Sequence, residues 1–341
     1  MKSYFKILII FCLVASLFLP VFADEQKLEN PVNLKFGAMP IGSSWYIYAA
    51  AYSSILEKAL PEGSKVEVIP SGGGIANPLA VAQGKADIAL SNVATAKWAY
   101  DGIQMYEGRS AKNIRALAGG LNKVYVYLIF REDFIKNIKK TSLDSFEKIS
   151  EAKYPVHLIC KPEGSTAPVI ARMILSEYGM DFDVIKEWGG SVTQVSGGQI
   201  PAVMRDGRAD IWIEVAPGGH PAIAEGMMTA NLRMFEVPEK VRKSLAKYGL
   251  FEEVVPANLF KNQPYSFKTI SPGTVIIASS DMPDELAYVI TKIICEHKED
   301  IVAVDASIKP FEPEKAWMED RIGISLHPGA EKYYKDKGWM K

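Results

Sequence analysis

Residues 71–92 read SGGGIANPLAVAQGKADIALSN, and the chain repeats the pattern of this stretch once further on. Its run of three glycines predicts a loop whose backbone turns tightly and can approach a ligand closely. Asn77 is predicted to be the N-cap of a short helix, with Pro78 in the first helical position, and Gly84 is predicted to end that helix. The apolar segment 86–91 then indicates a strand that is covered on both faces.

The second copy of the pattern indicates an internal duplication. Three positions recur 123 residues further along in the same order, as the pairs Pro78 and Pro201, Gly84 and Gly207, and Asp87 and Asp210. The Ser-Gly-Gly sequence at 71–73 recurs at 196–198, where it is shifted by two residues. The loops 42–44 (Gly-Ser-Ser) and 164–166 (Gly-Ser-Thr) form a further pair, 122 residues apart, and each lies between an apolar segment and a helical pattern. Two similar units predict a two-lobed α/β protein and not a solenoid.

The composition is that of a globular protein. The chain has 341 residues, of which 48% are hydrophobic and 23% are charged, so it is long enough for two domains of ordinary size. The formal net charge is −1, and no lysine- or arginine-rich patch stands out in the sequence. We therefore expect no nucleic-acid partner.

The first 23 residues have the features of a secretory signal peptide. Two lysines come first, an apolar run of 16 residues follows at 7–22, and Ala23 offers a cleavage position. A membrane anchor is the alternative, but the run is shorter than the ~20 residues that a spanning helix needs. Cys12 would suggest a lipoprotein, but the large Phe11 precedes it. We expect cleavage after Ala23 and a periplasmic or otherwise extracytoplasmic protein.

Cleavage would leave two cysteines, Cys160 and Cys295. In an oxidising compartment they could form a disulfide. The alternative is that both are buried thiols, and the apolar run around each of them favours this interpretation. No cluster of cysteine and histidine has the spacing of a metal site, so neither a metal nor another cofactor is predicted.

The sequence carries none of the common enzyme motifs. GxSxG, the P-loop, GxGxxG, HExxH and the kinase set are all absent. The four histidines are scattered, and the loop serines have no obvious base beside them. His327 is interpreted as structural, because no nucleophile or carboxylate motif accompanies it. These observations favour a binding protein over an enzyme.

The order of predicted elements divides the chain into two lobes. Strands are predicted at 34–38, 65–70, 86–91, 115–120, 124–130, 156–160, 210–215 and 275–279. Helices are predicted at 45–59, 95–106, 167–178, 238–249 and onward from Pro283. After the signal peptide, lobe one is expected to comprise 24–122 and 269–341, and lobe two 123–268.

Serine-rich loops at helix starts are the first candidates for a ligand site. The free backbone N–H groups of a helix start, together with nearby hydroxyls, form a natural anion site. Plain capping, by Ser43 or Ser44 in the first loop, would explain the serines equally well. The matched loop at 164–166 favours the ligand interpretation.

The end of the strand 210–215 supplies further candidates, because open α/β sheets carry ligands at strand ends. Glu214 could contact a ligand or be a solvated strand end, and His220 could contact a ligand or be a turn residue. An ionised Glu214 would favour an amine on the ligand and disfavour a pure dicarboxylate. The predicted ligand-binding residues are Gly42, Ser43, Ser44, Trp45, Tyr46, Ser71, Gly72, Gly73, Gly74, Ser91, Asn92, Gly164, Ser165, Thr166, Glu214 and Gly218.

Several of these segments together resemble the TAXI family, the extracytoplasmic solute receptors of one class of TRAP transporter. The resemblance covers roughly residues 32–338. It rests on the following segments: Gly-Ser-Ser-Trp-Tyr (42–46), Ser-Gly-Gly-Gly (71–74), Gly-Lys-Ala-Asp-Ile (84–88), Gly-Ser-Thr (164–166), Asp-Gly-Arg-Ala-Asp-Ile (206–211) and His-Pro-Gly-Ala-Glu-Lys-Tyr-Tyr (327–334). The last of these is the most specific.

The resemblance implies a type II periplasmic binding protein fold, in which two α/β lobes, each a mixed sheet flanked by helices, are joined by two crossings and close on a ligand. It implies a small carboxylate or amino acid of the glutamate, glutamine and 2-oxoglutarate class. The implied partner is a TRAP membrane subunit with fused small and large segments, driven by an ion gradient without ATP. The ligand carboxylate would lie near Ser43, Ser44 and Trp45.

Three other interpretations remain open. The chain could be an ABC-type substrate-binding protein of the same fold, which an ATPase encoded next to its gene would favour. It could be an exported enzyme on this fold, which turnover of a bound ligand would reveal. It could also be a ligand-sensing protein that contacts a signalling receptor in place of a transporter.

Overall fold

The computed structural model of the chain describes residues 28–70, 72–142 and 145–341. The strands are β1 Asn33–Gly37, β2 Lys65–Ile69, β3 Ile88–Ser91, β4 Ile114–Gly119, β5 Val124–Arg131, β6 His157–Cys160, β7 Ser191–Gln194, β8 Ile211–Pro217, β9 Leu232–Phe235, β10 Phe251–Val255, β11 Phe267–Ser271 and β12 Val275–Ser279. The predicted signal peptide lies outside the described residues.

The helices alternate with these strands along most of the chain. They are α1 Ser44–Ala59, α2 Ala76–Ala82, α3 Val93–Asp101, α4 Glu132–Lys140, α5 Phe146–Glu151, α6 Thr166–Ser176, α7 Phe182–Glu187, α8 Ile200–Arg205, α9 Pro221–Thr229, α10 Glu239–Leu245, α11 Asp284–Glu296, α12 Lys298–Val304, α13 Glu319–Ile322 and α14 Pro328–Asp336. No helix among the described residues is long and apolar enough to cross a membrane.

Two mixed β-sheets organise the fold, and they have the same plan. The first has the order β2-β1-β3-β12-β4, in which β1 is parallel to β2 and β3 while β12 runs antiparallel to β3 and β4. The second has the order β7-β6-β8-β5-β9, in which β6 is parallel to β7 and β8 while β5 runs antiparallel to β8 and β9. We call the part built on the first sheet lobe one and the part built on the second lobe two. The predicted two-lobed α/β fold with mixed sheets is confirmed.

The repeated Asp of the two sequence copies has the same structural role in each lobe. Asp87 Oδ2 accepts a hydrogen bond from the backbone N–H of Lys35 at 2.7 Å, so it joins the chain before β3 to β1. Asp210 Oδ2 accepts from the N–H of His157 at 3.0 Å and so joins the chain before β8 to β6. The repeated sequence pattern G-x-A-D therefore corresponds to a repeated structure.

The apolar core continues from one lobe to the other. One cluster of buried side chains contains Trp98 and Ala94 of lobe one together with Leu245 and Leu250 of lobe two. The Trp98 indole Nε1 donates to the Tyr248 carbonyl at 2.7 Å in the same region. The two lobes therefore lie against each other in this conformation.

The chain crosses between the lobes twice, and the two crossings lie side by side. The N–H of Gly120 donates to the Thr274 carbonyl at 2.8 Å, and Thr274 Oγ1 donates to Asn122 Oδ1 at 3.0 Å. Asn122 Nδ2 also donates to the Tyr48 hydroxyl at 2.9 Å. The lobe boundaries at 122 and 268 stay a prediction, but the strands of the first sheet do lie on both sides of lobe two in the sequence.

One predicted cap is wrong. Helix α2 begins at Ala76, and its N-cap is Ile75, not Asn77. The buried Asn77 amide instead donates to the carbonyls of Leu90 at 2.7 Å and Ala38 at 3.2 Å, near the ends of β3 and β1. Buried carbonyls need a donor, and that tertiary requirement outweighs the local capping preference of asparagine.

Other local predictions are confirmed. Ser43 caps α1, because its Oγ accepts from the Tyr46 N–H at 3.2 Å. Gly84 follows the end of α2 with a φ of +67°, which favours glycine. Cys160 and Cys295 are free and buried. His327 is fully buried and caps α14, where its ring accepts from the Gly329 N–H.

Candidate functional site

A chamber lies between the two lobes where the matched loops meet. It is partly open to solvent. Both lobes line it, with Met39, Ser43, Ser44, Trp45, Gly74 and Asn92 from lobe one and Val124, Lys161, Ser165, Thr166, Ala167, Val215, Ala216, Pro217 and His220 from lobe two. We call this space the inner chamber.

A wider space continues from the inner chamber toward the surface. The two spaces are continuous, because they share the lining residues Met39, Ser43, Ser44, Lys161, Ser165, Pro217 and His220. The other lining residues of the wider space include loop residues and carboxylates: Ile41, Gly42, Gly72, Glu163, Gly198, Gly218, Glu225 and Asp305. We call it the outer chamber.

The two matched loops have the same backbone geometry. Gly42 and Gly164 have φ angles of +89° and +88°, a region that favours glycine. Each loop then closes a turn, in which the Ser43 N–H donates to the Pro40 carbonyl at 3.1 Å and the Ser165 N–H to the Pro162 carbonyl at 3.3 Å. The starts of α1 and α6 therefore meet at one chamber from opposite lobes. Helix starts carry free N–H groups and partial positive charge, so the arrangement suits an anion.

Lys161 is the charged residue of this site that the sequence argument missed. Its Nζ lies 2.8 Å from Glu214 Oε1, and it lines both chambers with its side chain 12% exposed. Lys161 directly follows β6, at the carboxyl end of a parallel strand, and this position could have identified it from sequence.

Glu214 lies behind Lys161 and is fully buried, so the interpretation as a solvated strand end is wrong. Its carboxylate also accepts from the Val215 N–H at 2.8 Å and the Trp212 indole N–H at 3.3 Å. Because Lys161 already provides an ammonium partner, Glu214 gives no reason to expect an amine on the ligand.

His220 is the N-cap residue of α9 and contributes a neutral ring to the inner chamber. Burial and, to a lesser extent, the positive charge of Lys161 together lower the pKa of His220 from 6.5 to about 3. Its Nδ1 is buried, and among the described residues it has no hydrogen-bond partner. At neutral pH this ring can therefore exchange a hydrogen bond with a ligand but cannot offer a positive charge.

The lobes touch each other directly beside the inner chamber. Thr166 Oγ1 and Asn92 Oδ1 are hydrogen-bonded, and the Ile75 N–H donates to the Gly164 carbonyl at 3.2 Å. A Cβ on Gly74 would overlap both Thr166 Oγ1 and Asn92 Oδ1. Glycine at this position is therefore a requirement of lobe contact.

The predicted site residues fall into three groups. Those that line the inner chamber are Ser43, Ser44, Trp45, Gly74, Asn92, Ser165 and Thr166. Those that line the outer chamber alone are Gly42, Gly72 and Gly218. Those that line neither are Tyr46, Gly73, Ser91, Gly164 and Glu214. Ser71 lies outside the described residues, and the binding role of every residue in these groups stays a prediction.

No set of histidine, cysteine and carboxylate side chains within the described part of the chain could hold a metal ion. The polar groups of the inner chamber are hydroxyls, amides, one ammonium and one neutral imidazole. Such a set can hold a small anion by charge and hydrogen bonds.

Two lobes with equivalent mixed sheets, adjacent crossings and a polar chamber between them define the periplasmic binding protein fold. The structure of MatC from Rhodopseudomonas palustris with bound malate matches with a TM-score of 0.56 at 12% identity, over 91% of this chain and 98% of that chain. The periplasmic binding protein BugD matches with 0.49 at 14% identity, over 92% and 94% of the two chains. The alkanesulfonate-binding protein SsuA from Xanthomonas axonopodis pv. citri, bound to MOPS, matches with 0.44 at 11% identity, over 90% and 85%. Of these three, MatC alone has a TM-score above 0.5.

The similarity to these structures is one of fold. The sequence itself belongs to the NMT1-like family, which it matches over residues 36–338.

Proposed function

We propose that this chain is an extracytoplasmic solute-binding receptor that captures a small carboxylate or amino acid between its lobes. The observation that carries the proposal is the position of Lys161, which lies in the inner chamber together with the starts of α1 and α6. A carboxylate placed there would meet a charge-assisted partner and free N–H groups at once. The ligand would be bound and released without chemical change.

The chemistry of the chamber and the resemblance to the TAXI family support the ligand class that we propose. That resemblance suggests glutamate, glutamine or 2-oxoglutarate, and MatC, the fold neighbour named above, is a protein seen with bound malate.

The partner that we propose is a TRAP membrane subunit with fused segments, to which the receptor would deliver its ligand. Closure on the ligand would present to the membrane subunit a face composed of both lobes. A ligand can shift the chain toward the closed conformation only if it binds the closed conformation more tightly than the open conformation. A TRAP membrane subunit encoded next to this gene would support the proposal, whereas a neighbouring transport ATPase would favour an ABC-type receptor.

A thermal-shift panel tests the proposal on protein that has been unfolded and refolded to remove any bound ligand. The panel contains glutamate, glutamine, aspartate, 2-oxoglutarate, succinate, pyruvate and several sugars, with sodium chloride at matched ionic strength as the control. A ligand at 100 times its dissociation constant adds ~2.7 kcal/mol to the free energy of unfolding, which raises Tm measurably. A shift with acids or amino acids alone supports the receptor. A shift with sugars alone contradicts the carboxylate site. The bound compound is then recovered and identified by NMR, and its conversion to another compound would indicate an enzyme.

A further inference from the structure

The two matched loops differ in charge at the first of their positions that line the inner chamber. Aligned on Gly42 and Gly164, the first loop has Met39 where the second has Lys161. Both side chains line the inner chamber, one from each lobe. The chamber therefore has an apolar wall on one side and a cation on the other, although its two halves have the same backbone plan.

The partner of Lys161 follows the same division. Aligned on Asp87 and Asp210, lobe one has Ser91 where lobe two has Glu214. Ser91 is fully buried, and its hydroxyl is 3.2 Å from Thr95 Oγ1 within its own lobe. At these matched positions, therefore, lobe two has the ion pair of Lys161 and Glu214, and lobe one has two uncharged residues.

The charges around the chamber leave room for one anionic group. Lys161 is the one charged side chain among the described residues that line the inner chamber, and buried Glu214 opposes its charge from 2.8 Å. The neutral His220 adds no charge. A carboxylate ligand would share Lys161 with Glu214, and a second carboxylate would find no further cationic side chain among the described residues that line this chamber.

The outer chamber does not supply that missing cation. Its charged lining residues within the described part of the chain are Lys161 and three carboxylates, on Glu163, Glu225 and Asp305. Arg172 Nη2 binds the Glu163 carboxylate at 2.6 Å, but Arg172 does not line either chamber. A ligand with two negative charges would meet an acidic surface at its second end.

We propose, on the basis of the receptor function above, that the site takes a ligand with a single carboxylate, held against lobe two at Lys161, and with an uncharged far end against Met39 and Trp45. Within the glutamate, glutamine and 2-oxoglutarate class, glutamine is the member that has a single carboxylate and an uncharged far end. The substrate class is thus monocarboxylates with a neutral polar or apolar end. Dicarboxylates are excluded by charge and not by size, because the described residues that line the two chambers supply no second cation.

Isosteric pairs test this inference, because an amide and a carboxylate have nearly the same shape and differ in charge. Dissociation constants of the refolded protein are measured by titration calorimetry for glutamine against glutamate, asparagine against aspartate, and succinamate against succinate. In each pair that binds, we expect the amide to bind at least about tenfold more tightly, because an unpaired charge loses its hydration in the chamber. Equal binding, or tighter binding of the dicarboxylate, overturns this inference and leaves the receptor function intact. No binding of any member overturns both.

The Glu214→Gln variant provides a second measurement. It removes the buried negative charge next to Lys161, so the preference for the amide over the dicarboxylate should shrink by about tenfold. Glu187→Gln, at an exposed position at the end of α7, is the matched control and should leave the ratio unchanged. An unchanged ratio in a folded Glu214→Gln variant contradicts the charge argument. If this variant does not fold, the wild-type ratios decide.

Discussion

Thr166 Oγ1 lies 2.6 Å from Asn92 Oδ1, which is a hydrogen bond between the two lobes. The other end of the same amide is also occupied, because Asn92 Nδ2 donates to the Gly273 carbonyl at 2.7 Å in the second crossing. Both side chains are buried and line the inner chamber. Asn92 therefore connects the ligand chamber, the opposite lobe and the crossing about which the lobes would move.

Thr166→Val should weaken ligand binding with little effect on the fold. The substitution keeps the shape but removes the hydroxyl, so Asn92 Oδ1 loses its partner in the closed state. The loss of about 1–2 kcal/mol corresponds to affinity that is roughly 5- to 30-fold lower in calorimetric titration. Thr229→Val, at an exposed position on α9, is the control. Wild-type affinity in Thr166→Val would mean that this contact does not contribute to closure.

Gly74→Ala should prevent the lobes from meeting. The added Cβ would overlap Thr166 Oγ1 of the opposite lobe and Asn92 Oδ1 of its own lobe. Opening of the lobes relieves the first overlap, and rotation of the Asn92 side chain relieves the second. We expect the variant to lose ligand binding while its Tm stays near normal. In the presence of ligand, small-angle scattering should give the variant a larger radius of gyration than the wild type. Gly198→Ala in the matched loop of lobe two is the control, because a Cβ there meets nothing within 4 Å. Normal closure of Gly74→Ala would show that the loop moves aside easily.

Lys161→Met places the lobe-one residue in lobe two, and it should affect both binding and stability. Removing one member of a buried ion pair typically costs about 3–5 kcal/mol, because Glu214 is left without a counter-charge. Lys161→Met combined with Glu214→Gln removes that uncompensated charge and should recover most of the stability in urea unfolding. Affinity for carboxylates should stay low in both variants. If the double variant regains affinity, Lys161 acts through the fold and not on the ligand.

The protein should lose stability in mild acid because of His220. Burial holds the folded-state pKa of His220 at about 3, below the ordinary value of 6.5. Between pH 6.5 and pH 3 the imidazole of His220 binds a proton in the unfolded chain but not in the folded chain. The contribution of His220 to the free energy of unfolding is therefore complete above pH 6.5 and falls as the pH drops toward 3. At pH 5 the loss is about 2 kcal/mol.

The measurement is the Tm of wild type and His220→Asn between pH 4 and 8, a range that spans the ordinary histidine pKa of ~6.5. The Tm values of the two proteins should lie closer together at low pH than at pH 8, since the variant has no imidazole to protonate. Parallel curves would mean that His220 titrates normally in the folded chain.

The sequence was sufficient for the parts of the fold that depend on local chemistry and repetition. Two residue pairs recur at nearly the same spacing, Gly42 with Gly164 and Asp87 with Asp210. The glycines of one pair share a backbone conformation and the aspartates of the other share a hydrogen bond to a neighbouring strand, so each pair is visible as a repeat in the sequence. The two-lobed fold followed from them.

The ion pair of the inner chamber left no comparable pattern. Lys161 and Glu214 are distant in sequence and meet only because β6 and β8 are neighbours in the second sheet. Asn77 shows the same limit, because its capping preference is a local property whereas the carbonyls that it binds belong to other strands. Contacts that depend on which strands are adjacent require the topology first.

The difference between Met39 and Lys161 also decides which half of the protein would keep the ligand during release. With its carboxylate on Lys161, the ligand would be fixed to the second half by charge and to the first by weaker apolar contact. When a membrane partner pulls the halves apart, the contact at Met39 would break first, and the ligand would stay with the second half, with its uncharged end exposed. The handover would then have a fixed direction, in which the uncharged end leaves the receptor before the carboxylate does.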